Sequence, residues 1–576
     1  MNRFITQLKN LSQIQYLWIC AIGLILPNIA LSLSPYMSWV ASLLNILSPL
    51  GIWLLVLCRG KRPGKVLLAG LWLMLIINCV QLVLLTIFDG AVISVDLLLS
   101  LFSASGDEAG ELLGGLILPI ALVLIIHIIL VCFATWSWRS QELLSSEESR
   151  GQSLLGLGLL LLGLPLAYWS HQIQPSHTIR GDIYPINVFY NMYITGDKLS
   201  ELAHLDETTA AHSYQATSEH KAEDRELYVF VLGETSRAYS YQLYGYGRET
   251  NPRLAARDSA SLVVYRDLLT QSNTTSKSAP ILLSPADAEN NERLNKVKGI
   301  MAAMREAGFY TVFISNQPEN RSFLDHFAYE ADKHIRIKDV IKAKRSMMEL
   351  MKPIYDTDML PFLDEVLRAK HQKLFVIMHC YGAHWSYPDR YPEDFAHFRD
   401  DKALGASPLE RERLTNAYDN AIRYTDYLLD EVIKRLEADT TAVSAMYYTA
   451  DHGEDVYDDA RERILHSSPT ISYYQLHVPG ILWMNPNYRA LHPDKASAAR
   501  ANAGKAATSR SNFHTLLSLA GVRTHERQDS LSLMSPLYRE GLRTYLNDRY
   551  ECVPIAEMLQ DEEDKQVWSR MGLRKP

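Results

Sequence analysis

Leu227-Tyr228-Val229-Phe230-Val231-Leu232-Gly233-Glu234-Thr235 decides how the carboxy-terminal part of this 576-residue chain is read. Six apolar residues run into glycine and then into polar residues. That is the pattern of a strand buried on both faces that delivers polar side chains at its end. Working outward, further short apolar runs follow at Tyr310–Ile314, Leu374–Met378, Ala445–Thr449 and Gly480–Met484. Between them lie amphipathic stretches that predict helices at Leu294–Ala307, Leu360–Lys370 and Leu409–Ala438. Strands alternating with helices imply a mostly parallel sheet sandwiched by helices. In such sheets a site forms beyond the carboxyl ends of the strands. The polar clusters fall there: Gly233-Glu234-Thr235, His379 through His384, and Asp451-His452-Gly453-Glu454.

Glu234, Asp451 and His452 are an oxygen/nitrogen set suited to zinc. Adjacent strand residues point to opposite faces, so Asp451 and His452 can share a metal only if the strand has ended. Gly453 is expected to help by loosening the turn. Taken alone, an Asp-His-Gly-Glu string is most often a surface loop. Glu234 at a second strand end turns it into a candidate metal centre.

The part before residue 171 has a different texture. Stretches at Tyr16–Leu33, Met37–Cys58, Val66–Phe88, Leu112–Thr135 and Ser153–Trp169 are long and apolar enough to cross roughly 30 Å of hydrocarbon. Buried helices of a soluble core would seldom lack a polar face. The first stretch is too long, and too clearly followed by others, for a cleaved signal peptide. Arg3 and Lys9, then Arg59, Lys61, Arg62 and Lys65, then Arg139 and Arg150 all fall on one side. The loop with Asp89, Asp96, Asp107, Glu108 and Glu111 falls on the other. This asymmetry puts the amino terminus in the cytoplasm and everything after the fifth span outside. The acidic loop reads either as a surface amphipathic helix or as carboxylates facing an amine-bearing lipid headgroup. In the segment that follows, Pro175 and Pro185 break structure, and Tyr184, Phe189, Tyr190 and Tyr193 suit an interfacial position. A net charge of -8 gives no sign of nucleic-acid binding. Of six cysteines, only Cys380 and Cys552 lie beyond the apolar stretches, so no disulfide framework is legible.

Val231 through Arg237 and Leu243-Tyr244-Gly245-Tyr246-Gly247-Arg248-Glu249-Thr250-Asn251-Pro252 resemble the signature of the phosphoethanolamine transferases that modify lipid A and related envelope glycans. So do His379 through His384 with Arg390-Tyr391-Pro392, and Asn416-Ala417-Tyr418-Asp419-Asn420 leading to Tyr424-Thr425-Asp426. The resemblance runs from the first span to about residue 485. It implies five spans followed by a periplasmic domain of the alkaline phosphatase/sulfatase fold. It divides the chain into a transmembrane domain at 1–171, periplasmic linker helices at 172–225, a sulfatase-like catalytic domain at 226–550 and a C-terminal tail at 551–576.

The resemblance also implies residue roles. The family's nucleophile is a zinc-bound threonine five residues before a proline, which puts Thr275 ahead of Pro280 in Gln271–Pro280. Thr274 is its nearest competitor, and the bland reading of this hydroxyl-rich run is a loop or helix cap. Glu234, Thr275, Asp451 and His452 would hold one tightly bound Zn2+. His379, His384 and His466 would surround the substrate phosphate or a second zinc. Gln271 and Ile281 stand where many lipid A enzymes of the family have disulfide-forming cysteines, which leaves the acceptor open rather than the chemistry. The implied activity moves phosphoethanolamine from phosphatidylethanolamine, a lipid of the inner membrane, to lipid A, a core sugar or another envelope glycan. A glycerophosphate transferase resembling lipoteichoic acid synthases and an inactive lipid-binding scaffold are the alternatives. A true sulfatase is disfavoured by the absence of any Cys-x-Pro-x-Arg run.

Overall fold

The computed structural model describes residues 11–33, 37–86, 92–103, 116–173, 178–221, 224–319, 322–346, 352–403, 405–467, 470–559 and 561–574. Arg3, Lys9, Asp89, Asp107, Glu108, Glu111 and Pro175 lie outside the described residues. The chain divides into two compact units, Met1–Leu98 with Leu113–Gly196, and Leu99–Leu112 with Asp197–Pro576.

In the first unit, helices Gln13–Leu31, Trp39–Leu57, Ile117–Arg139 and Ser146–Ile173 are each long and apolar enough to cross a membrane. The third expected span is instead two helices, Pro63–Gly70 and Trp72–Leu84, bent by 78°. Leu71 between them has left helical geometry, with φ -121° and ψ 18°, next to a glycine that favours helix poorly. Glycines let the helices approach closely. A Cβ on Gly51 would lie 2.7 Å from the Gly156 carbonyl oxygen, so helices Trp39–Leu57 and Ser146–Ile173 meet backbone to backbone. Some buried amides find partners inside the unit, as an apolar surround favours. Asn28 Nδ2 donates to the Tyr184 carbonyl (2.7 Å), and Tyr184 Oη donates to Asn78 Oδ1 (2.6 Å). Tyr184 is therefore fully buried rather than interfacial, whereas Phe189 and Tyr193 are exposed.

The second unit is built on a seven-stranded sheet. Its strands are β1 (Glu226–Gly233), β2 (Leu262–Tyr265), β3 (Tyr310–Ser315), β4 (Lys333–Arg336), β5 (Lys373–His379), β6 (Val443–Ala450) and β7 (Gly480–Met484). The order is β2-β7-β6-β1-β5-β3-β4. β6, β1, β5, β3 and β4 run parallel, and β7 is antiparallel to both β6 and β2. Every residue of central β1 is buried, which is why its sequence is one apolar run. The strands that escape sequence reading, β2 and β4, are the two sheet edges: β2 is an apolar run of only four residues, and β4 has a single apolar residue, Ile335. The expected helix Leu294–Ala307 is a 3-10 segment, Ala288–Asn295, followed by helix Ile300–Glu306. Glu330 explains the new start, because its carboxylate accepts the Gly299 backbone N–H at 2.8 Å.

The end of the chain packs on this unit. Cys552–Pro554 pairs with Thr544–Leu546, and Ile555, Val567 and Trp568 are buried with Leu269 and Tyr473. All six cysteines are free, Cys380 buried and Cys552 exposed.

Candidate metal centre

Gly233 and Ala450 end β1 and β6 in register with each other, so Glu234 and Asp451 leave the sheet side by side. Thr275 arrives from elsewhere, as the first residue of helix Thr275–Leu283. Thr275 Oγ1 lies 3.2 and 3.3 Å from the two Glu234 carboxylate oxygens and 3.3 Å from His452 Nε2. His452 Nδ1 is 2.9 Å from the Gly453 carbonyl, which only an N–H can face, so the lone pair sits on Nε2. That lone pair is 3.3 Å from Asp451 Oδ2 and 3.5 Å from Glu234 Oε1. Ligand atoms of Glu234, Asp451 and His452 all fall within 4.8 Å of one another.

Two carboxylates, a lone pair and the Thr275 hydroxyl thus gather in one buried spot. Asp451 Oδ2 is buried with no hydrogen-bond partner among the described residues. Burial, and then the Asp451 charge, push the Glu234 carboxyl up. Burial opposes protonation of His452, but Asp451 and Glu234 outweigh it and raise its pKa. Each strain is what a cation would relieve, and the donor set fits a divalent ion of zinc's type.

Residues beyond the expected ligands hold this arrangement. Thr235 has φ +54°, unusual for a β-branched residue. It is held there by its N–H to Asp451 Oδ1 (3.1 Å), its hydroxyl to Glu234 Oε1 (2.7 Å) and its carbonyl accepting from Tyr418 Oη (2.8 Å). Gln317 Nε2 donates to Glu234 Oε2 and to the Cys380 carbonyl, both at 3.0 Å. Thr270 Oγ1 donates to the Asp451 carbonyl (2.6 Å). Gly453 serves differently from expectation: a Cβ there would lie 2.0 Å from the Tyr474 carbonyl oxygen, so its use is close approach rather than a loosened turn. Gly382 has φ +57°, and a Cβ on it would stand 2.3 Å from the Glu234 carbonyl oxygen. Gly382→Ala is therefore expected to cost at least about 1–2 kcal/mol in backbone strain. It should also displace Glu234, read as a lower denaturation midpoint together with weaker zinc retention. A parent-like midpoint and zinc content would refute this.

The loop leading into helix Thr275–Leu283 is held without disulfides. Gln271 Nε2 donates to Thr544 Oγ1 (3.1 Å), Asn273 Nδ2 donates to Gln475 Oε1 (2.7 Å), and Ile281 is fully buried. Thr274 is the residue before the helix, and its carbonyl accepts from Ser278 N (2.9 Å). Among the described residues no hydrogen bond joins Thr274 or Ser276 to Glu234, Asp451 or His452. Thr275 also sits at the positive end of a helix, where developing negative charge is favoured.

The three further histidines separate. The His466 ring centroid is 4.2 Å from that of His452 and 5.8 Å from that of His384, so these rings form one wall. His466 Nδ1 is 2.7 Å from Glu454 Oε2, and burial pushes the Glu454 carboxyl up to about 8. His384 Nδ1 faces the Trp385 carbonyl (2.8 Å), which leaves its lone pair on Nε2, and burial pushes its pKa down to about 4. His379 is not brought to the cluster. It is the last residue of β5, and its Nδ1 lies 3.1 Å from Ser315 Oγ on neighbouring β3, with the ring against Phe313. Among the described residues no hydrogen bond or ring contact joins it to Glu234, Thr275, Asp451 or His452.

A largely parallel sheet with a carboxylate–imidazole cluster and a hydroxyl at its strand ends defines the alkaline-phosphatase class of metal site. The sulfatase family model matches residues 226–522, and the chain belongs to the sulfatase family. Phosphoethanolamine transferase EptC of Escherichia coli (strain K12) is 29% identical over 325 residues, covering 55% of this chain and 54% of that protein. The chain thus spans about half the length of the curated relatives that it matches first. The C-terminal periplasmic domain of EcEptC from Escherichia coli in complex with Zn aligns with a TM-score of 0.53 at 26% identity, covering 61% of this chain and 97% of that one. Lipooligosaccharide phosphoethanolamine transferase A from Neisseria meningitidis, an integral membrane protein, aligns with a TM-score of 0.70 at 19% identity, over 91% of this chain and 98% of that one. That last likeness is one of fold.

Proposed function

We propose that this chain is a membrane-anchored, zinc-dependent transferase that moves phosphoethanolamine from phosphatidylethanolamine to an envelope glycolipid or glycan. The observation that carries the reading is Thr275 Oγ1, a hydroxyl within 3.3 Å of both Glu234 and His452 at a helix start. The names of the curated relatives and the zinc-bound relative support it. Residues 1–171 act as anchor, 172–225 as linker, 226–550 as the catalytic part, and 551–576 follow it. The amino terminus is cytoplasmic and the α/β unit faces the periplasm. A reporter fused near Gly64 is expected to be active only inside the cytoplasm and one fused after Pro576 only outside it; the same side for both would refute this topology.

Glu234, Asp451, His452 and Thr275 would hold zinc, which when bound supplies a Lewis acid that lowers the pKa of the threonine hydroxyl. Thr275 Oγ1 attacks the donor phosphorus, the diacylglycerol oxygen leaves with a proton, and phosphoethanolamine stays on the threonine. An acceptor hydroxyl or phosphate oxygen then attacks that phosphorus and frees Thr275. Each step forms one P–O bond and breaks one. His384, kept neutral by burial and carrying its lone pair on Nε2, is the group available to take the acceptor's proton.

The test is the first half-reaction. Protein in phosphatidylethanolamine vesicles without acceptor is expected to gain one phosphoethanolamine mass and release an equal amount of diacylglycerol. No adduct from these vesicles, with a glycerophosphate adduct from phosphatidylglycerol vesicles instead, would replace this reading with that of a glycerophosphate transferase.

A further inference from the structure

The motif residues Asn251-Pro252, Asn416–Asn420 and Tyr424–Asp426 supply none of the clustered ligand atoms of the metal centre. They build a groove of about 630 Å³ on the α/β unit, lined by Pro252, Arg253, Asp394, Phe395, His397 and Arg423. Both walls are mounted on the long helix Arg411–Glu437 by fully buried side chains. Asp426 accepts the backbone N–H groups of Arg253 and Leu254, each at 3.0 Å, and so fixes one wall. Asn420 Oδ1 accepts those of His397 and Phe398, each at 2.9 Å, and its Nδ2 donates to the Phe398 carbonyl at 2.9 Å, which fixes the other. The Phe395 ring is seated against Tyr424 (4.8 Å between centroids) and Tyr427 (5.8 Å). A burial investment of this kind fixes geometry, which a loop serving only as a surface connector would not need.

The two arginines of the groove differ from their neighbours. Arg237, Arg248, Arg257, Arg435 and Arg461 all form ion pairs with carboxylates. Arg253 instead lies over the Tyr427 ring at 4.7 Å, and Arg423 Nη1 donates to the Glu249 carbonyl. Among the described residues neither has a carboxylate within ion-pair distance. Two guanidiniums therefore face one groove with N–H donors unspent on any acid, the arrangement that suits a phosphate or carboxylate. Asp394 and the Phe395 ring beside them suit sugar hydroxyls and a sugar's apolar face. The same helix reaches the metal centre, where Tyr418 Oη donates to the Thr235 carbonyl.

We infer that this groove binds the anionic group of a phosphorylated or carboxylated sugar in the acceptor, apart from the site that handles the donor. This rests on the transferase reading above. The full chain, with Arg253→Gln and Arg423→Gln made singly and together, tests it in two measurements. In transfer assays each single variant should raise acceptor KM about tenfold, while the rate of the Thr275 adduct from phosphatidylethanolamine alone stays at the parent value. Acceptor KM unchanged in the double variant overturns the inference. So does an adduct rate that falls in step with transfer, because the groove would then serve the donor. The second measurement needs no catalysis: calorimetric titration with a phosphorylated glucosamine disaccharide and its unphosphorylated counterpart. The parent should bind the phosphorylated form preferentially, and the double variant should lose that preference. Equal binding of both sugars by the parent overturns the groove assignment. A parent that forms no adduct but keeps the preference for phosphate overturns only the transferase reading.

Discussion

Thr275→Ala is expected to abolish both the covalent adduct and transfer, a loss on the order of 10⁴-fold or more. The size follows from what is removed. The methyl group of alanine keeps the helix start, so the fold should survive with a parent-like melting transition. Neither neighbouring hydroxyl is placed to take over: Thr274 Oγ1 lies near Ser272 Oγ and Ser276 Oγ rather than at the cluster. Peptide mapping of the parent adduct should accordingly place it on Thr275 and on neither neighbour. Thr275→Ser is expected to retain part of the activity, since a primary hydroxyl at the same atom can still attack. Thr275→Ala as active as the parent, or an adduct mapped to Thr274, would remove the mechanism's support.

Glu234→Ala, Asp451→Ala and His452→Ala should each release zinc and activity together. A four-ligand site of about 12 kcal/mol total affinity gives each ligand roughly 3 kcal/mol, or about a hundredfold in affinity. Asp451→Ala should show more than its share. Its Oδ1 also accepts the backbone N–H groups of Thr235 (3.1 Å) and His452 (2.7 Å), so the loops lose their positioning along with a ligand. The membrane helices should be unaffected, which far-UV circular dichroism can follow. Metal content and transfer rate, measured before and after chelation and after zinc is restored, decide the matter. Full activity in metal-free protein would refute the metal centre.

The sequence by itself determined the elements whose burial is uniform. β1, β3, β5, β6 and β7 are legible because central strands covered on both faces must be apolar throughout. The long amino-terminal helices are legible for a related reason, since an apolar surround allows few polar side chains. Glu234, Asp451 and His452 stood out as polar residues directly after such strands. Choosing Thr275 over Thr274 and Ser276 needed family resemblance, because local sequence cannot say which hydroxyl a helix start will aim.

The tertiary structure decided everything that depends on residues far apart in the chain meeting in space. The register of β1 on β6 puts Glu234 beside Asp451, 217 residues later. Helix Thr275–Leu283 then delivers Oγ1 to both Glu234 and His452. The same logic sets His379 beside Ser315, whereas the family resemblance had grouped it with His384 and His466. The sequence assigns no role to Thr235, Gln317 or Tyr418, since their value lies in hydrogen bonds to partners that only the fold supplies. Periodicity records which face of an element is buried; which ligands converge depends on how those elements pack, and no local pattern carries that information.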